Sequence, residues 1–374
     1  MGRADKKTQG DVSLMRLRAL AGIVTAFGLV AVIGCETPAP PPVVIAQAPP
    51  APPPPAPVPP PPPPTPVPPP PIALSNQIVE MASTYRAVMT SDASISPNFT
   101  SGEDVARAVR ASASYEQHQL EQGAVAYAAI AALQEPSFVA AIREYAKDPV
   151  SRADIAAKLL DNRNYVTGFA HVDRAAGLAI AALDGTGAQV TITGRAVKQA
   201  AYDVQRQAWS KAKVADAATR LNLAKDLSQQ RLLAGPEDVA TLRRATVGEA
   251  ALSRAGAPVA PPYTSVVSRG LTIAALAALG MAGDDQMAAI TPMLSDEASA
   301  FCLNMAKLNL YQCLAVSGPH YEDIFCMGQH ALIDTGQCMI KAAGSPNPVF
   351  VEPPAPVAPA PKAKGRSVPV KARN

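Results

Sequence analysis

Between Leu74 and Ser345 the apolar residues recur mostly at three- and four-residue intervals, the period of one helix face, and the stretch reads as about ten helices. Val105, Val109, Ala113 and Leu120 continue one such stripe, in a helix that Glu135-Pro136 ends while starting another. The residues before that stripe, Ser101-Gly-Glu-Asp104, have the form of a capping box with Asp in place of Glu or Gln. Asp148-Pro149 places an N-cap before a proline at the first helical position and opens a segment ending near Asn162. Gly235-Pro236-Glu237-Asp238 and Ser295-Asp-Glu297 mark two further starts. Only Gln189–Thr193 alternates like a strand, and one short strand builds no sheet. The expected fold is all-α. Ile-Ala-Ala-Leu occurs at 130–133, 180–183 and 273–276, which reads either as a degenerate array or as coincidence in an alanine-rich chain. The run from Gly270 to Gly283 is too short to span a bilayer and reads as a buried helix.

Outside this region the pattern changes. Of 39 prolines, 22 fall in residues 38–71 and 8 in residues 346–374. The first cluster has no periodic apolar face, and its composition favours polyproline II, a stiff spacer reaching about 100 Å at about 3.1 Å per residue. Upstream, residues 19–34 form an apolar run of signal-peptide length preceded by Arg16 and Arg18, with Met15 as the expected true start. The run ends in Val32-Ile33-Gly34-Cys35, which resembles the lipobox of bacterial lipoproteins. The resemblance rests on four residues. It implies cleavage between Gly34 and Cys35 and a Cys35 carrying diacylglycerol and usually an amide-linked acyl chain such as palmitate. Ile33 stands where that family more often has a small residue. Glu36 comes after the cysteine instead of the aspartate that retains some lipoproteins in the inner membrane, so the resemblance points to the outer membrane, with the domain in the periplasm. The expected organisation is a signal peptide (1–34), an anchor and spacer (35–73), a helical periplasmic domain (74–345) and a Pro/Ala/Lys-rich tail (346–374).

Four cysteines, Cys302, Cys313, Cys326 and Cys338, lie at the end of the domain, and an even number in an exported chain reads as disulfides. Asp296 to about Ser317 reads as one helix, Gly318-Pro319 as the turn, and His320 to about Ala343 as the return. Cys302 and Cys313 share a face but lie about 16 Å apart, too far to bridge. Of three connectivities, only the nested Cys302–Cys338 and Cys313–Cys326 fits an antiparallel hairpin. The layout is similar to twin Cys-x₉-Cys hairpin proteins, in geometry alone, since the gaps here are ten and eleven residues. The twelve-residue step from Cys326 to Cys338 puts the second cysteine about 120° off-face in an ideal helix, so a local break is expected, with Gly328 and Gly336 as its candidates. Zinc sites need close pairs such as C-x-x-C, which are absent, and no metal is expected.

Net charge, with 33 basic against 30 acidic residues, excludes nucleic acid binding read from overall charge. The tail opposes Lys362, Lys364, Arg366, Lys371 and Arg373 to a single Glu352, so it is a candidate basic contact for anionic envelope material. Nucleophile-elbow, zincin, Walker and Rossmann patterns are absent, and no catalytic residue or cofactor is assigned. The best polar cluster is His320, Glu322 and Asp323 with His330; it reads either as an acid/base or metal site or as a first helical turn whose acids favour the helix dipole. His171 and Asp173 stand two apart and do not face each other, and His118 reads as solvated. The expectation is a structural or interaction module anchored to the membrane through Cys35, with an envelope protein or peptidoglycan as partner. The alternatives are an envelope hydrolase and a binder of a small apolar ligand.

Overall fold

The computed structural model describes residues 68–252 and 255–345. Among the described residues there are fourteen α-helices and no strand; the only extended pairings are two isolated bridges, Leu74 with Ala282 and Lys213 with Pro319. Helices α1 (Asn76–Ala93), α2 (Gly102–Ala113), α3 (Gln117–Ala132), α4 (Pro136–Ala146) and α5 (Pro149–Asp161) lead into the long α6 (Val172–Val204). Then come the single turn α7 (Ala208–Lys211), α8 (Ala217–Leu227), α9 (Pro236–Thr246), α10 (Ser265–Ala278) and the single turn α11 (Met287–Ile290). The chain closes with α12 (Glu297–Val316), α13 (His320–Cys326) and α14 (Asp334–Ala343).

Local cap chemistry sets most of the starts. Ser101 Oγ accepts the Asp104 N–H at 3.2 Å, and the Asp104 carboxylate reaches back to the Thr100 N–H and hydroxyl. Asp148 and Asp296 accept from the amides of Ser151 and Ser299, capping α5 and α12. The expected helix from Ser101 to Glu135 is two helices. Ser114 turns its hydroxyl back to the Arg110 carbonyl, ending α2, and Glu116 restarts the chain by accepting the amides of His118 and Gln119. Gln189–Thr193 is helix, not strand, and lies in the middle of α6. There Thr191 returns its hydroxyl to the Gly187 carbonyl, and tertiary packing overrides the strand propensity of Val, Ile and Thr. The count exceeds ten because of that split, because single turns carry no periodicity, and because the return arm of the hairpin is divided.

The core is built around α3, which from Gly123 to Leu133 is buried on every side, as a helix apolar all round must be. Helices α1, α6 and α10 pack on it. The three Ile-Ala-Ala-Leu copies fall on α3, α6 and α10, which all touch one another. Their small residues let these backbones approach: a Cβ on Gly270 would lie 2.7 Å from the Ala128 Cβ. By length and composition α6 is apolar enough to cross a membrane, yet half of its most apolar stretch is buried within the fold, which fits a core helix. The residues just before α1 are fastened to this core. Arg143 donates to the Pro70 carbonyl at 3.0 Å, and the amides of Ala73 and Ser75 bond to Ala277 and Ala282.

Candidate functional site

Helix α12 and the return arm α13–α14 form an antiparallel hairpin closed by two disulfides, Cys302–Cys338 and Cys313–Cys326, in the nested pairing. Eleven residues on α12 bring Cys313 within about 20° of Cys302, whereas twelve regular residues on the return would leave Cys338 about 120° out of phase. The return arm removes this mismatch with a π-helical segment, Met327–Ile333, between α13 and α14. A π turn takes up an extra residue, so twelve residues advance the face as about eleven do in an α-helix. The break is therefore a π segment. Gly336 lies beyond it, and both candidate glycines serve contact with α6. A Cβ on Gly336 would fall on the Thr191 hydroxyl and 2.6 Å from the Gly187 carbonyl, and one on Gly328 would lie 2.6 Å from the Lys198 amide nitrogen.

The other side of the hairpin is open to solvent. Phe301, Met305, Leu308 and Val316 are 67, 38, 40 and 85% exposed and fall within an arc of about 80° on α12. A groove of about 460 Å³ runs along the Cys302–Cys338 bridge, between Phe301 and Met305 on α12 and Gln337 and Lys341 on α14. A second, of about 420 Å³, lies at the Cys313–Cys326 bridge, where Val316, Tyr321 and Phe325 face Tyr202 of α6. Phe325 meets Tyr202 edge-on, with the Lys198 ammonium 5.3 Å from its ring centre. Each groove is backed by a covalent staple; the first has apolar α12 side chains on one wall and the polar Gln337 and Lys341 on the other, and the second is chiefly apolar and aromatic.

The polar cluster beside the turn is divided by the structure. Asp323 is buried and receives the Arg220 guanidinium on both oxygens at 2.6 and 2.7 Å, with the Ser317 hydroxyl at 2.7 Å. Burial pushes its carboxyl up, while Ser317 and Arg220 pull the other way. Glu322 accepts the Gly318 amide at 2.7 Å, fixing the turn. The His320 ring packs on Gly102, so that any Cβ there would collide with it. His330 pairs instead with Asp334 one turn along, at 2.8 Å. Asp323, Glu322 and His330 each have a structural partner. His118 is exposed, as expected, although its ring also reaches Glu121 at 3.4 Å. Among the described residues no group of three or more His, Cys, Asp or Glu is placed to hold a metal ion.

Three buried ionisable groups escaped the sequence reading. Lys307 is the one lysine of α12, and its ammonium donates to the carbonyls of Ala113 (3.0 Å) and Tyr115 (2.6 Å), 3.5 Å from the centre of the Tyr115 ring. It thereby fills the break between α2 and α3. Burial lowers it to about 7, against the opposing charges of Asp92 and Glu116. Asp92, in the last turn of α1, is fully buried with one oxygen lacking a hydrogen-bond partner, and burial holds its carboxyl well above the usual range. Glu121, the one acid within α3, is buried and accepts the Asp296 amide, anchoring the start of α12 to the core. A lone charge inside an apolar helix was the available signal for Lys307 and Glu121.

Cys35, the expected lipidation residue, and the basic tail residues Lys362, Lys364, Arg366, Lys371 and Arg373 lie outside the described residues. Comparison of the chain with protein-family models, with curated proteins and with solved structures finds no match.

Proposed function

We propose that this chain is a lipid-anchored cell-envelope protein acting as an interaction module, with the stapled hairpin offering its outer face to an envelope protein. The observation that carries this reading is the row Phe301, Met305, Leu308 and Val316, held in the open on a helix cross-linked at both ends. Exposed apolar residues grouped on one face mark interaction surfaces more than scattered ones do. Two covalent staples keep such a face ordered before binding and lower the entropy lost on docking. An apolar face suits a protein partner better than hydroxyl-rich wall glycan. Anchoring through Cys35 and the proline-rich spacer would present it at a distance from the bilayer.

The test is in-cell photocrosslinking from the full-length chain, with the photoreactive residue at Leu308. The expected result is a discrete adduct with one envelope protein, absent when the probe is placed at Leu160, which is equally exposed on α5. Identical adducts from both positions, or none from Leu308, would overturn the proposal.

A further inference from the structure

The exposed residues of α12 between Ala298 and Ala315 are Ala298, Phe301, Met305, Leu308, Gln312 and Ala315, and no others. They follow one another at steps of three, four, three, four and three. That is the a/d repeat of a coiled-coil seam, the stripe one helix presents to another lying nearly in line with it. The remaining residues of the stretch are buried or half-buried. Its single charge, on Lys307, points inward to the carbonyls of Ala113 and Tyr115. The open seam is therefore uncharged along its whole length, and a partner with ionised seam residues would bury them unpaired.

The same seam on a second copy meets this requirement, and its residue order fits itself in one direction. A two-fold axis between Met305 and Leu308 reverses the second helix. It sets Met305 opposite Leu308 of the second copy, Phe301 opposite Gln312 and Ala298 opposite Ala315. The large layers then lie symmetrically about the centre, and the two helix dipoles run head to tail. A parallel pair would stack Phe301 on Phe301 next to a layer of two alanines. At 1.5 Å per residue the seam is about 27 Å long, and with the return arm beside it the hairpin is about 20 Å wide, so hairpin laid on hairpin covers roughly 500 Å² of each copy. The total of about 1,000 Å² is the lower bound for a specific interface. Confinement of both copies to one membrane surface raises their effective concentration. We propose that the α12 face pairs with a second copy of this chain through an antiparallel, two-fold α12–α12 contact. This names the partner of the face described above and rests on that reading.

The test expresses two full-length copies with different tags in one cell, with the photoreactive residue at Phe301, Leu308 or Gln312. Each adduct should carry both tags. Trypsin cuts after Lys307, between the two halves of the seam. After reduction, the probe at Phe301 should be joined to the peptide beginning at Leu308, and the probe at Gln312 to the peptide ending at Lys307. Met305→Lys with Leu308→Lys in both copies should lower the two-tag adduct from Phe301 at least tenfold, and so should the two glutamate substitutions. Mixing a lysine copy with a glutamate copy should restore it, which a merely unfolded variant would not do. The proposal is overturned if each probe joins its own half of the seam, if mixing restores nothing, or if a probe at Leu160 gives as much two-tag adduct. An adduct from Leu308 with a different envelope protein and never with the second tag overturns the pairing and leaves the interaction face standing. No adduct from Leu308 overturns both.

Discussion

Lys307 and Asp92 bring opposite charges into one core, and burial acts on each toward its neutral form. The consequence is a stability that depends on pH in two opposite senses. Asp92 holds its proton in the folded chain above the pH near 4 at which the unfolded carboxyl releases it, so the folded state binds more protons there. Its contribution is present in acid and is lost as pH rises towards the raised folded value. Lys307 titrates near 7 when folded and near 10.5 when unfolded. Between those values the unfolded chain binds more protons, and stability climbs with pH. Unfolding free energies from urea titrations between pH 4 and 9 should therefore fall and then rise, the rise from Lys307 being on the order of a few kcal/mol. Asp92→Asn should flatten the fall, and Lys307→Met the rise. A wild-type profile without a minimum would show that the two groups do not titrate as their burial dictates.

The hairpin shows what an element demands of a sequence beyond periodicity. Its two arms contribute cysteines at steps of eleven and twelve residues, and the π segment brings them into phase. Inserting one alanine after Gln329 should leave Cys313–Cys326 intact and prevent Cys302–Cys338, because the added residue rotates only the C-terminal part of the return arm. Non-reducing peptide mapping reads this directly. Removing each bridge by paired Cys→Ala substitution should cost unequal amounts. Chain-entropy arguments give about 4 kcal/mol for the bridge with sequence separation 36 and about 3 kcal/mol for the one with separation 13. Helix starts at Ser101, Asp148 and Asp296 were legible because caps are chemistry between residues three apart, and the start after Gly235 because Pro236 suits the first helical position. The nested pairing was legible because rise and reach are fixed for any helix. The split at Ser114–Glu116 was not, since Lys307, nearly two hundred residues away, occupies the gap. Nor was the helical state of Gln189–Thr193, decided by the glycine contacts between α6 and the return arm.

At the scale of the whole molecule, a folded core carrying the hairpin face is separated in sequence from its proposed anchor by the proline-rich segment, and the two are proposed to act independently. This separation is open to a paired experiment. Cys35→Ser removes the only thiol available for the thioether and leaves every described contact untouched. It should move the protein from the membrane pellet to the soluble fraction without changing the thermal unfolding of the domain. Phe301→Ser with Leu308→Ser acts at the other end. Both side chains are already exposed, so the unfolding free energy should change by about 0.5 kcal/mol or less. Crosslinking from the neighbouring Met305 position should nevertheless fall at least tenfold, and membrane association should persist. If the anchor variant stays in the pellet, Cys35 is not the attachment point. If the face variant unfolds early, the row belongs to the fold and not to a partner.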